Sequence, residues 1–385
     1  MAMNRRQVLG AALCAGVAPQ LSGQPAAGEE IWVNPASGDD RASGSRSAPL
    51  RTLAEAARRV NRSEGAGPVT IYLSEGIYSI GETTLLRPGR RRFSREARLT
   101  IRAAVLPDDP EWDTGKMPTL IHTMPVPPEW NGRPDPLGGA ANGMLIETSH
   151  VTIRGLKFLG LPAVETPRPG LIRRLYGISR LRRDLEDLEI AQCLFAGDTI
   201  TAPLHVAVIA LGNGVNVHHC IFRGCKISTV FWMGGSRGHA FRNCVCDHVY
   251  GSAVWTSGIQ DDFDYRNNVV TGCLYVWTNQ SGATASADAA GRGGRQGASA
   301  GQSSGEAVRY KVIDCYFAGN SKLAGTGTGA RLEYSDIDPS FMLMTGTKVV
   351  SQPVAVEMDS TRRNYLHPVA GSEAAGIGAG LFIRS

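Results

Sequence analysis

Beyond its N-terminal segment the chain has no apolar run long enough to cross a bilayer. It has no C-x-x-C pair and no zinc-like spacing of cysteine and histidine. It has no dense basic stripe and no nucleic-acid-binding motif, so a nucleic-acid partner is not expected. Charge is sparse, at 19% of residues with a net of +5, which favours anionic partners slightly and says nothing about fold. Aromatic residues make up only 7%. Glycine is plentiful at 46 residues, so turns should be frequent and long helices few. The 385 residues, 42% of them hydrophobic, suffice for one large domain or two ordinary ones.

The first residues read MAMNRRQVLGAALCAGVAPQ. Arg5 and Arg6 precede an 11-residue apolar stretch, 8–18, which is too short to span a membrane and suits a removable export signal. The paired arginines followed by Val8 and Leu9 fit the twin-arginine type, with cleavage expected between 18 and 28. An ordinary secretory signal is the alternative. Cys14 follows Leu13 rather than a small residue, so a lipoprotein signal is not expected. Seven cysteines remain after Cys14, a number that cannot all pair within one chain.

Those cysteines belong to a repeat. LEIAQCLFAGD (188–198), VNVHHCIFRGC (215–225), HAFRNCVCDHV (239–249), FDYRNNVVTGC (263–273) and YKVIDCYFAGN (310–320) align. One column holds Cys193, Cys220, Cys244, Asn268 and Cys315, at gaps of 27, 24, 24 and 47 residues. Two residues later stand Phe195, Phe222, Cys246, Val270 and Phe317; three residues earlier stand Ile190, Val217, Phe241, Tyr265 and Val312. VTIRGLKFLG (151–160) is a weaker copy. Such a period marks a solenoid whose coils bury their apolar faces on one another. Apolar and polar residues alternate within each copy, which is strand spacing. A further short run precedes each copy, as in VAVIAL (206–211) and SAVW (252–255). Three parallel strands per coil make an all-β right-handed parallel β-helix, with stacked strands roughly 4.8 Å apart. Cysteine then serves as a small interior filler, and Asn268 should bond the turn backbone of the coils beside it. A metal site or a disulfide staple is the competing account of the cysteines.

Thr52 and Glu55 stand in capping-box spacing at the start of an expected helix. Leu53, Ala56, Ala57 and Val60 share one face, so the helix can plug the open end of the solenoid. The stretch IWVNPASGDDRASGSRSAPLRTLAEAARRV, then VTIYLSEGIYSI, then LTIRAA, resembles the start of exported right-handed parallel β-helix proteins of the pectin-lyase-like superfamily. Val33, Pro35, Gly38, Asp40, Pro49, Thr52, Leu53, Ala56 and the segment Leu73–Tyr78 carry the resemblance. DIDPSF (336–341) and HPVAGSEAAGIGAG (367–380) resemble the closing segment of such proteins. The organisation expected is an export signal over 1–27, a β-helix over 28–335 and a closing segment over 336–385. Residues 107–142 and 161–174 read as excursions from the coil. The low-complexity stretch 279–308 reads as a loop, either a lid or a tolerated insertion.

Trp232, Trp255 and Trp277 recur at intervals of 23 and 22 residues, each closing the first strand of a coil. If Phe231, Val254 and Val276 fill the interior, alternation turns the tryptophans outward as a substrate-binding ladder for sugar rings. A shift of register turns them inward instead. The resemblance implies acidic polysaccharides as substrates. A lyase needs a cation for the uronate carboxylate and a base for the adjacent proton, and Lys226, Arg237, His248 and Tyr250 are the candidates, with Tyr250 returning a proton to the leaving oxygen. A hydrolase needs two carboxylates, for which Asp261 and Asp262 are the candidates. Ordinary solvated turn residues are the competing account of all six. A calcium site from the same acids lacks binding-loop spacing, so no cofactor or metal is expected.

The chain departs from the tight motifs of the better-known branches. GIQDDFDY is only superficially like a polygalacturonase aspartate pair, and the Trp-Ile-Asp-His element of pectate lyases is absent. No catalytic residue carries over by motif. The expectation is an exported, monomeric polysaccharide-active protein, a lyase ahead of a hydrolase. A non-catalytic carbohydrate-binding or cell-envelope protein is the alternative.

Overall fold

The computed structural model describes residues 28–126, 129–130, 133–134, 139–160, 174–232, 235–259, 262–280, 308–327 and 334–383. The expected export signal lies outside the described residues, as do 161–173 and 281–307 of the expected insertions.

Three sheets run along the chain, and in each the strands follow sequence order. Sheet 1 has ten strands, from Glu29–Val33 through Leu188–Ala191 and Val215–His218 to Met342–Thr345. Sheet 2 has nine, from Ile77–Ile80 to Lys348–Val350. Sheet 3 has nine and includes Arg174–Arg180, Val206–Ala210, Ile227–Phe231, Ser252–Ser257, Tyr275–Gln280 and Lys322–Gly327. Neighbours pair in parallel, except that Tyr334–Asp336 joins Lys322–Gly327 antiparallel at the end of sheet 3. This is the parallel β-helix that the repeat and the resemblance imply.

The aligned columns are real ladders. Ile190, Val217, Phe241, Tyr265 and Val312 are successive partners in sheet 1. Phe195, Phe222, Cys246, Val270 and Phe317 are successive partners in sheet 2. All ten are buried, and Phe158, Phe195 and Phe222 stack at 4.8 and 4.9 Å between ring centroids. At the corner between these sheets Gln192, His219, Asn243, Asn267 and Asp314 take φ of 53, 50, 51, 54 and 51°. One left-handed residue per coil turns the chain sharply and points the next side chain inward. The seven cysteines after Cys14 are all free and buried. Asn268, in their column, accepts from the Cys244 N–H and donates to the Phe241 carbonyl, each at 2.9 Å, tying its coil to the one before.

The helix Leu53–Arg62 buries Leu53, Ala56, Ala57 and Val60 over the first coils. Thr52 caps it by accepting from Glu55 N at 3.2 Å. The capping box is only half formed, because the Thr52 N–H donates instead to Asp40 at 2.8 Å. The Glu55 carboxylate is therefore free to pair with Arg58, Arg59 and Arg62.

Two details differ from the sequence reading. The stretch 107–142 is not wholly an excursion, since Thr119–His122 is a strand of sheet 2 and Ala140–Ile146 begins inside it. The C-terminal segment completes the last coil and then lies along the outer face of sheet 2. There Leu366, Ala374, Ala379 and Leu381 pack with Leu194, Ile221, Val245, Val269 and Tyr316. Gly380 N donates to the Asn243 carbonyl at 2.9 Å, and Gln192 donates to the Leu381 carbonyl at 2.7 Å. With sheet 2 covered, the outer faces of sheets 1 and 3 remain for other work.

Candidate functional site

The three tryptophans do not form one ladder. In sheet 3 Val230 stands beside Trp255 and then Thr278, whereas Thr229 stands beside Val254 and then Trp277. The strand-to-strand offset is 25 residues in one step and 23 in the next, while the tryptophans are 23 and 22 apart. Each therefore falls in a different column. Trp277 points into the coil and is fully buried, its ring 4.8 Å from Tyr265 and 5.2 Å from Tyr310. Trp255 is on the outer face but is also fully buried. Only Trp232 is part-exposed, 6.0 Å from Trp255. The expected exposed platform is thus corrected: two of its three rings are structural.

What lies over Trp255 is Tyr334, ring to ring at 6.1 Å, from the antiparallel strand Tyr334–Asp336. Tyr334 also packs on Tyr275 at 5.2 Å. Its hydroxyl reaches the start of strand Ser252–Ser257: a side chain built on Gly251 would strike Tyr334 Oη, and its Cβ would lie 3.1 Å from Lys226 Cγ. Glycine at 251 leaves room for both the phenol hydroxyl and the carbonyl and stem of Lys226. Tyr275 donates to Asp336 at 2.8 Å, and Lys322 pairs with the same carboxylate at 2.6 Å.

Lys226 is part-buried and has no ion pair among the described residues. Loss of water lowers its pKa below the usual lysine value. Burial raises the phenol of Tyr250, and likewise that of Tyr334. Two buried donors on this face, Tyr334 Oη and Trp255 Nε1, have no hydrogen-bond partner among the described residues. Buried donors without partners are rare and costly, at roughly 1–3 kcal/mol each. A cation without an anion and two idle donors, held on one sheet face, form the candidate site.

The remaining expected residues fall elsewhere. His248 sits at the corner of sheets 2 and 3 with φ of 50°, exposed, its Nδ1 against the fully buried Asp247, which also pairs with Arg223. Its pKa is lowered, by desolvation and then by Arg223. Arg237 lies at the opposite edge of sheet 3, its backbone N–H on Asn213 at 3.0 Å. Asp262 lies there too, accepting from Gly238 N at 2.8 Å. The five-residue strand Ile227–Phe231 separates these edges by roughly 13 Å at strand rise. The structure thus brings together Lys226 and Tyr250 and parts them from Arg237 and Asp262. Asp261 lies outside the described residues. Tyr334, Tyr275, Lys322 and Asp336 were not expected; the strand of Tyr334 and Asp336 follows the low-complexity stretch and runs antiparallel, so alignment could not place it.

Among the described residues no group of three or more His, Cys, Asp and Glu is arranged to hold a metal ion, and no helix is long and apolar enough to cross a membrane. Fold and face together define a parallel β-helix protein with a lysine–tyrosine cluster on one sheet. No family model matches the chain, and no curated protein does. Several solved structures align with most of the chain at low similarity. A pectin methylesterase from Aspergillus niger is 11% identical with a TM-score of 0.46, covering 86% of this chain and 92% of that one. A GH136 lacto-N-biosidase from Eubacterium ramulus is 8% identical with a TM-score of 0.45, covering 84% and 67%. A rhamnogalacturonan lyase is 9% identical with a TM-score of 0.42, covering 92% and 99%.

Proposed function

We propose that this protein is an exported, monomeric polysaccharide lyase that cleaves an acidic glycan at the Lys226 edge of sheet 3 without a cofactor. One observation carries the reading: Lys226, short of water and without an ion pair among the described residues, and the phenol hydroxyl of Tyr334, without a hydrogen-bond partner among them, both pack at Gly251. In β-elimination a base takes the proton from the carbon bearing the uronate carboxylate. The electron pair becomes a carbon–carbon double bond, the bond to the glycosidic oxygen breaks, and that oxygen gains a proton. Lys226 in its amine form fits the base, since desolvation raises the amine fraction. Tyr334 fits the proton donor, and Tyr250 is a second phenol at the same edge. His248 is a further candidate base, oriented by Asp247. Hydrolysis is less well supported, because it needs two carboxylates flanking one bond and Asp262 is engaged with Gly238 across the sheet.

The test is incubation with polygalacturonate, alginate and neutral polysaccharides, following unsaturated products by near-ultraviolet absorbance. Lys226→Ala and Tyr334→Phe should each lower the rate by ~10²–10⁴-fold. Retention on a glycan with no product from any of them would make the protein a binding module and end the lyase reading.

A further inference from the structure

The outer face of sheet 1 carries a different arrangement at the first coils. Trp32 and Tyr72 are partners in neighbouring strands and stack at 4.5 Å with planes 14° apart. Arg46 lies over Trp32 at 5.0 Å, and Arg102 over Tyr72 at 5.6 Å, so the aromatic pair is closed at each end by a guanidinium. Trp32 is fixed further by donating its indole N–H to Glu30 at 3.1 Å. Arg46 is the tip of a tight turn, in which Gly44 N donates to the Ala48 carbonyl at 2.9 Å and Ala48 N to the Ser45 carbonyl at 3.1 Å. Arg46 is exposed and has no ion pair among the described residues.

Beside this stack is an open cleft of about 370 Å³ that three successive coils line. That volume lies within the ~300–1,000 Å³ of ordinary small-molecule sites. Trp32 and Arg46 form one wall; Ser37 and Ser47 add hydroxyls, and Val105 and Lys116 come from the third coil. Lys116 pairs with Glu75 at 3.2 Å, so the lining holds two cations and one carboxylate. The mix decides the ligand class. A bare inorganic anion has no use for the apolar Pro49 and Val105 side chains, and a neutral sugar leaves the charge of Arg46 unmatched. A sugar ring bearing a carboxylate uses both: the carboxylate takes charge-assisted bonds from Arg46, and the ring hydroxyls meet the serines.

We infer that this cleft is an accessory binding site for a uronate residue, separate from the Lys226 edge. It lies on another sheet and at the N-terminal coils, so it would hold a glycan at a distance from the reacting bond. The inference stands without the lyase reading, because no part of it uses sheet 3.

The test is calorimetric titration of the full chain in a Lys226→Ala background, with trigalacturonate, triglucuronate, maltotriose and inorganic phosphate as probes. The Trp32 indole N–H resonance is followed in parallel. A uronate trimer should bind and shift that resonance, and Arg46→Ala should weaken binding about tenfold or more. Ser47→Glu, a second change at an exposed turn, should do the same by placing a carboxylate in the cleft. Unchanged uronate affinity in both variants would overturn the inference. So would maltotriose or phosphate binding as tightly as the uronates.

Discussion

Trp277 and Thr256 are bonded inside the coil: the indole Nε1 donates to Thr256 Oγ1 at 2.9 Å. Thr256 follows Trp255 directly, yet Trp255 points the other way. Two tryptophans at a repeat-like spacing thus do opposite jobs, one filling the core with Tyr265 and Tyr310, the other lying under Tyr334.

Trp277→Ala should therefore be a core deletion, costing ~3–5 kcal/mol for a large aromatic removed from a packed interior. Trp232→Ala, at a part-exposed position, should cost under ~1 kcal/mol. Urea denaturation followed by circular dichroism measures both. A loss at Trp232 as large as that at Trp277 would mean the register is wrong.

The coil was legible in the sequence because its interior columns repeat one residue type, as cysteine or phenylalanine, and because Asn268 replaces cysteine where a bend needs a hydrogen-bonding side chain. The sheet 3 face was not legible. Its successive strand-to-strand offsets are 30, 21, 25 and 23 residues, and a slip of one residue reverses a side chain. Lys226 and Tyr250 could be named from position, since both sit just before a sheet 3 strand. Tyr334 could not, because it returns on an antiparallel strand 83 residues after the glycine that admits its hydroxyl, outside any repeat.

Asn268→Ala should destabilise the chain by about 2–4 kcal/mol, because it leaves the Cys244 N–H and the Phe241 carbonyl buried without partners. Asn268→Thr should recover part of the loss. The last coil shows why: Thr347 Oγ1 accepts from Cys315 N and donates to the Val312 carbonyl, each at 3.2 Å. Thermal midpoints of the two variants check the order, and a Thr variant no better than Ala would refute it.

Tyr334→Phe separates function from stability. The hydroxyl is buried and has no partner among the described residues, so removing it should stabilise the fold by about 1 kcal/mol or leave it unchanged. If the phenol acts on substrate, the same variant loses turnover. A stability gain with full activity would mark the hydroxyl as a packing defect only. A stability loss would mean that it has a partner.

His239 ties acid stability to the corner between sheets 3 and 1. Its Nδ1 accepts from Val215 N at 3.3 Å, so the other ring nitrogen carries the proton and donates to Ser236 at 3.0 Å. Burial, and then the nearby Arg180 guanidinium, lower its pKa to about 4 from 6.5. A histidine held neutral in the fold contributes stability that is whole above pH 6.5. It is lost as the pH falls toward 4, because the unfolded chain takes up the proton first. For a shift of this size the linked stability is about 3 kcal/mol. His219, also lowered to about 4 by burial and then His218, is more open to water and adds a smaller slope of the same sign. His239→Gln keeps an acceptor for Val215 and a donor for Ser236 but cannot titrate. Urea midpoints at pH 7.5, 5.5 and 4.5 should fall less steeply for His239→Gln than for the parent. Parallel slopes would show that the imidazole is not the group that the folded state keeps neutral.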